Sequence, residues 1–303
     1  MKRYTTLLVF CIVALFAVLI FVHPETASAD MGPKPSINIT FDNLGNETCF
    51  VTILSSSQYS GPFCAYDPEA DNKELGNFDS KYYNDDDYVN EEAELSWQAF
   101  VNYEDEDGYY FLQLWWKLSD EIIQIRWSYY PPDSFKVLLY YPQSNLFVSS
   151  DICERYAFDS YYYAIMNDDG GNLTLFNSYD YAGEVVALLC RIALTILIEV
   201  LIALLFRIKG RKVLLTVLIV NAVTQIALNV ALNLIYYFNG ALAYLVFFFL
   251  LEIAVVIVEA LAYSILLRKS GVPIWKSVLY AVVANVVSAV AGFFLAEWLP
   301  MLF

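Results

Sequence analysis

The stretch LLEIAVVIVEALAYS, residues 250–264, decides what kind of chain this is. It lies inside an apolar run from Ala241 to Leu267 that is long enough to cross a bilayer, yet it carries two carboxyls, Glu252 and Glu259. Seven residues are two helical turns, so both project from one helix face. A carboxyl at bilayer depth is costly and is usually found facing a bundle interior or a water-filled cavity. The run therefore reads as one helix of a bundle, whose neighbours must supply polar partners.

The expected neighbours are spans 184–206, 213–238 and 275–299, which with 241–267 make a four-helix transmembrane bundle. Each exceeds the ~20 residues that a hydrocarbon core requires. Glu199 stands eight residues before Arg207, and Glu259 nine before Arg268. At 1.5 Å per residue both lie about 12 Å from the boundary marked by the basic loops, with Asn221 at the same level. Gln225, Glu252 and Asn285 fall near the midplane. The second span repeats Asn221, Gln225, Asn229 and Asn233 every fourth residue, with Thr224 alongside. We expect a polar seam of Glu199, Asn221, Gln225, Glu252, Glu259 and Asn285. Two carboxyls at one level in a low dielectric cannot both carry charge cheaply. Two readings stay open: carboxyls bonded to amides that lock the bundle, or a site that handles a proton, a cation or a ligand. Arg191 is expected to reach outward toward Glu184. Ala284, Ser288, Gly292 and Ala296, small residues at every fourth position, read as a helix-packing stripe.

The rest of the chain is unlike this. The 303 residues are 58% hydrophobic with a net charge of −16, and that charge is unevenly placed. From Asp30 to Ala182 there are 27 acidic and 7 basic residues, whereas from Gly183 onward there are 5 and 8. An acidic polar domain thus precedes a lipid-embedded one, and the acidic surface argues against a nucleic-acid partner. Residues 1–29 read as a signal peptide: Lys2 and Arg3, an apolar core from Leu7 to Val22, and Ala27-Ser28-Ala29 for cleavage. The only histidine, His23, falls within it, which removes histidine acid–base chemistry from the mature chain. Of the cysteines, Cys49, Cys64 and Cys153 lie in the exported part, and Cys49–Cys64 is the candidate disulfide, with free thiols the alternative.

Residues 30–182 read as an extracellular all-β sandwich, immunoglobulin-like, and residues 183–303 as the transmembrane domain. Alternation is clear in SINITF (36–41), CFVTIL (49–54), SFKVLLYY (134–141) and AFDSYYYAIM (157–166). YYFLQLWWKL, Ser119-Asp120-Glu121 and IIQIRW suggest a hairpin. Asp67 to Glu94 reads as a long acidic loop ending in a helix near Asn90 to Trp97, and Asn167 to Asn172 begins a short linker. No run has the ligand pattern of a calcium loop: Asp67 to Asn72 lacks the required glycine, and Asn102 to Gly108 does not match. No nucleophile elbow, phosphate loop or metal-ligand spacing is present, so no enzyme, cofactor or metal is expected. Trp97, Trp115, Trp116 and Trp127 are candidates for a carbohydrate or peptide platform, against the plainer reading as core. Asn38, Asn46 and Asn172 head glycosylation sequons.

The helical half resembles a group of bacterial multi-span membrane proteins of uncharacterised activity. The resemblance rests on Asn221-Ala222-Val223-Thr224-Gln225, on Glu252 with Glu259-Ala260, and on Asn285-Val286-Val287-Ser288 through Gly292. The exported segment, with FKVLLYYP and YAFDSYYYA, is similar to domains fused to such bundles. The resemblance implies a bacterial cell membrane and brings no activity with it. The expected role is envelope sensing, with a protein, peptide or carbohydrate bound outside and coupled to the bundle. The alternative is a small oligomeric proton- or cation-coupled transporter or channel; four spans are few, so that reading calls for a homo-oligomer.

Orientation follows from the loops. Arg207, Lys209, Arg211 and Lys212 separate the first two spans, Arg268, Lys269 and Lys276 the last two, while Tyr236 to Gly240 carries no charge. The basic loops belong in the cytoplasm, which leaves the acidic domain and the C-terminus outside. A single cysteine at Gly210 should stay protected from a membrane-impermeant thiol reagent in intact cells, and one at Asn239 should react. The reverse labelling would invert the topology.

Overall fold

The computed structural model describes residues 32–45, 47–67, 91–119, 123–167 and 172–298. The expected signal segment, most of the acidic loop and the centre of the linker lie outside the described residues. The described residues form two compact units, Lys34–Tyr179 and the helical part that begins at Asp180.

The first unit is built from two main sheets. One has the order β11 (Leu173–Asn177), β10 (Asp159–Met166), β1 (Ser36–Asp42), β6 (Gln124–Trp127). The other runs β5 (Tyr110–Leu118), β2 (Cys49–Ser55), β7 (Ser134–Tyr141), β8 (Leu146–Ser149), with β9 (Cys153–Glu154) also on β7. A small hairpin, β3 (Tyr59–Ser60) and β4 (Phe63–Cys64), follows β2. The sheets share one core: Ile37, Ile39 and Trp127 from the first meet Val51, Ile53, Val137 and Leu139 from the second. The opposite face of the second sheet is covered by α1 (Glu91–Val101), whose Phe100 packs on Phe50, Leu138 and Tyr140. A sheet covered on both faces loses its alternation. Hence β2 is buried along its whole length and β7 at every position after Ser134.

Several expectations are corrected here. β5 and β6 do not form a hairpin: β5 pairs with β2 and β6 with β1, so these two strands, consecutive in the chain, belong to different sheets. A short loop between alternating strands serves a sheet-switching corner as well as a hairpin, which is why sequence could not separate them. β1 pairs in parallel with β10, and β2 lies between β5 and β7. This is not the ABED/CFG order of immunoglobulin domains, and what is shared is the two-layer packing. Cys49 and Cys64 are free thiols. Cys49 faces Leu118 across the β2·β5 pair, whereas the Cys64 carbonyl accepts a hydrogen bond from Gln113 Nε2 at 3.1 Å. Burial pushes the Cys49 thiol up to about 12. Trp127 and Trp115 are buried, and Trp97 and Trp116 pack against the same apolar clusters. Asn38 is buried in β1 with its amide on Ser36 Oγ at 2.9 Å, while Asn172 is exposed and Asn46 lies outside the described residues.

The second unit holds α2 (Tyr181–Leu205), α3 (Arg211–Leu266) and α4 (Ile274–Trp298). The Asp180 side chain caps α2 by accepting the Gly183 N–H at 2.9 Å. Among the described residues, three helices are long and apolar enough to cross a membrane. Within α3, Gly240 leaves helical geometry at φ 78°, ψ −177°. Thr224 and Glu259, 35 positions apart, would stand about 52 Å from one another on a straight helix. Their side chains are instead 2.5 Å apart. The helix therefore doubles back at Gly240, and Leu228, Leu232 and Ile235 pack on Leu251 and Val255.

A buried ion cluster ties α1's loop to the second sheet. Lys136 Nζ meets Asp105 Oδ1 at 2.7 Å and Asp107 Oδ2 at 2.9 Å. Asp105 Oδ2 also accepts the N–H groups of Asp107 and Tyr109. The acidic run Asn102 to Gly108 is thus a loop clamp. Burial pulls the Lys136 ammonium down, but the two carboxylates outweigh it and hold it above its usual value. A raised lysine stabilises fully below its unfolded value of about 10.4 and loses that contribution as pH rises through the folded one. Lys136→Met leaves the buried Asp105 carboxylate uncompensated and should cost about 3–5 kcal/mol in denaturant melts of residues 34–179. The gap between variant and wild type should narrow in strong alkali; a variant as stable as wild type at neutral pH would refute the clamp.

Candidate functional site

Four helical segments bring their polar residues to one buried cluster. From the second half of α3, Glu259 accepts Thr224 Oγ1 of the first half at 2.5 Å and Asn285 Nδ2 of α4 at 2.7 Å. The Thr224 hydroxyl also lies 3.1 Å from the carbonyls of Val220 and Asn221. It can donate to a Glu259 carboxylate, or accept from the protonated acid and turn its own proton to the backbone. Glu259 is therefore partnered in either state.

Glu199 is not. It comes from α2, and its residue is 0% exposed. Neither carboxyl oxygen has a hydrogen-bond partner, and Asn285 Oδ1 is likewise buried without a donor. Ser288, beside Glu199, donates instead to the Asn285 carbonyl at 3.0 Å. The Glu199 and Glu259 carboxyls are close enough to feel one another's charge. Underneath, Tyr280 donates its hydroxyl to the Glu199 backbone carbonyl at 3.1 Å, Tyr263 donates to Asn221 Oδ1, and the two rings stack obliquely at 5.3 Å. Two carboxyls and an unpartnered amide oxygen gather in this buried cluster, with the Asn221 Nδ2 an unpartnered donor among them, and an excess of acceptors of this kind attracts a proton or a small hard cation.

The expected seam is split by the structure. Glu199, Asn221, Glu259 and Asn285 join this cluster. Gln225 and Glu252 line a separate cavity of about 240 Å³ with Asn229, Arg191 and Ser288. There Asn229 Nδ2 reaches Gln225 Oε1 at 3.3 Å. Arg191 faces this cavity and donates to Asn233 Oδ1 at 3.4 Å, so it turns inward rather than toward the membrane surface. Ala284, Ser288 and Gly292 do face the bundle, two of them buried and the third on the cavity wall. Tyr263 and Tyr280 were not anticipated. Tyr263 follows Glu259 by one helical turn and shares its face, which was a usable signal; nothing in the sequence near Tyr280 marks it. Among the described residues no His, Cys, Asp or Glu group has the clustering of a metal centre.

Compared with protein-family models, with curated proteins and with solved structures, the chain matches none of them.

Because Glu259 depends on Thr224, Thr224→Val should lower the stability of the full chain in detergent by about 1–3 kcal/mol. Thr216→Val, which removes a hydroxyl bonded only to the Lys212 carbonyl of its own helix, is the control and should be nearly neutral. Equal melting of both variants would show that the Thr224 to Glu259 contact contributes nothing.

Proposed function

We propose that this is an integral cell-membrane protein of bacterial type whose helical unit binds and passes a proton or small cation at Glu199 and Glu259. The observation that carries the reading is the Glu199 carboxyl, buried and making no hydrogen bond, its neighbouring donor, the Ser288 hydroxyl, being turned to the Asn285 carbonyl. A carboxyl that locks a bundle is hydrogen-bonded, as Glu259 is, whereas the Glu199 oxygens make no hydrogen bond. An unpaired anion in low dielectric is expensive, so Glu199 holds a proton or a cation.

In this reading the chain crosses the membrane four times, with the reversal at Gly240 forming one outer turn. Support comes from Ile208 and Leu267, which flank the two basic loops and belong to one apolar cluster. Both loops then lie at one end, the cytoplasmic one, with the β unit and the C-terminus outside. The role is that of an oligomeric, proton- or cation-coupled transporter or channel, with the external unit as its ligand-facing part. This reading is preferred to envelope sensing through an aromatic platform, because the tryptophans of that platform pack into cores.

The test uses full-length protein in liposomes with an imposed proton or sodium gradient. Wild type should dissipate one of them, and Glu199→Gln and Glu259→Gln should each slow that flux at least about tenfold, the equivalent of about 1.4 kcal/mol. Glu199→Gln should leave the melting temperature nearly unchanged, since it breaks no hydrogen bond. Infrared spectra across pH and sodium concentration should show a carboxyl band that Glu199→Gln removes; Glu252, Tyr263, Tyr280 and Arg191 are the other titratable groups near the site. Wild-type vesicles no leakier than empty ones, together with no such band, would overturn the reading.

A further inference from the structure

We propose that the cavity lined by Arg191 and Glu252 binds a small zwitterion that has an apolar body. This rests on different residues from the carboxyl pair and stands whether or not that pair conducts.

Two opposite charges face one space without meeting. Among the described residues Arg191 makes only long contacts, Nε to the Ala187 carbonyl and Nη2 to Asn233 Oδ1, both at 3.4 Å. Among the described residues, Glu252 takes part in no hydrogen bond or ion pair. Two such charges in an apolar surround attract strongly and are costly to leave bare. The helices hold them apart, so what satisfies both must reach both. Arg191 offers a planar fork suited to a carboxylate or phosphate, and Glu252 a partner for an ammonium. Gln225 and Asn229 add amides to the lining. The facing wall is apolar: Tyr244 and Phe248 stack at 6.3 Å, and Phe249 adjoins them.

The lining chooses among ligand classes. A simple anion would confront Glu252, a simple cation would confront Arg191, and a hydrocarbon would desolvate both charges without compensation. The cavity of about 240 Å³ equals the share of about eight liquid waters. That admits a molecule the size of an apolar amino acid, or the phosphoethanolamine head of a lipid, and excludes a sugar chain. Both sources present the same chemistry, an anionic and an ammonium group close together beside an apolar part. Position gives the site consequence: Ser288 lines the cavity and sits beside Glu199, and Gln225 follows Thr224 in sequence. Occupancy of the cavity therefore touches the walls of the carboxyl cluster.

Full-length protein in nanodiscs of phosphatidylglycerol alone should be titrated with phenylalanine and leucine, and with N-acetylphenylalanine and phenethylamine, which each lack one charge. In parallel, native mass spectrometry of protein from discs containing phosphatidylethanolamine reads retained lipid. We expect saturable binding in one arm, which identifies the source, and at least about tenfold weakening with Arg191→Gln and with Glu252→Gln. Gly292→Leu keeps both charges but fills the space: a Cβ at Gly292 meets nothing within 4 Å, so the fold should tolerate it while binding is lost. Failure of both arms to bind in wild type would overturn the proposal, as would singly charged analogues binding as tightly as the zwitterions or Gly292→Leu binding as wild type. Proton or sodium flux measured on the same preparations separates this result from the fate of the Glu199 and Glu259 reading.

Discussion

The carboxyl of Glu259 accepts hydrogen bonds from Thr224 and Asn285 at once, and the helical unit is organised around that contact. It holds the two halves of α3 and α4 together at one depth, and it is possible only because the chain reverses at Gly240. A glycine is suited to the reversal: φ there is positive, a region in which side chains with a Cβ are strained. In a medium without water, polar groups must find each other or remain unpaid, so one reversal and one carboxyl dictate much of the packing. The two glutamates of the cluster then differ in kind. Glu259 is held by two donors and ties the helices together, whereas the Glu199 carboxyl is buried beside it and makes no hydrogen bond.

The β unit meets a comparable demand by other means. Its second sheet is covered by the first sheet on one side and by α1 on the other, so a strand such as β7 has no solvent face to spend on charge. Lys136 nevertheless lies on β7, and it is tolerated because Asp105 and Asp107 reach it from the loop that follows α1. The acidic loop and the lysine are therefore one feature, although 29 to 31 residues separate them. In both units a charged side chain in a dry place is matched by a segment distant in sequence. Arg191 and Glu252 break that rule, since they share a cavity without touching.

How much of this could be read from residues alone depends on the kind of signal each feature leaves. Membership of the buried cluster was legible for Glu199, Asn221, Glu259 and Asn285, because polar residues in apolar spans must face inward and helical spacing fixes which share a face. Depth counted from the basic loops put Glu199, Asn221 and Glu259 at one level, and the structure gathers them into one cluster. Helix α1 was visible as a short segment, but its role as the cover of a sheet was not, since amphipathic pattern does not name the surface it will meet.

Local periodicity and charge by themselves determined the two-part division, the apolar helices, the break near Gly240 and the polar residues they bury. Each is set by the solvent that a segment must face, and solvent preference is written residue by residue. Only the tertiary structure decided pairing: β5 with β2 rather than β6, Cys49 apart from Cys64, Tyr280 under Glu199, Gln225 and Glu252 set off into a cavity with Arg191. The physical reason is that alternation and helical phase specify which way a side chain faces, while the identity of what it faces depends on how distant segments close together, and a donor or its absence exists only after they have done so.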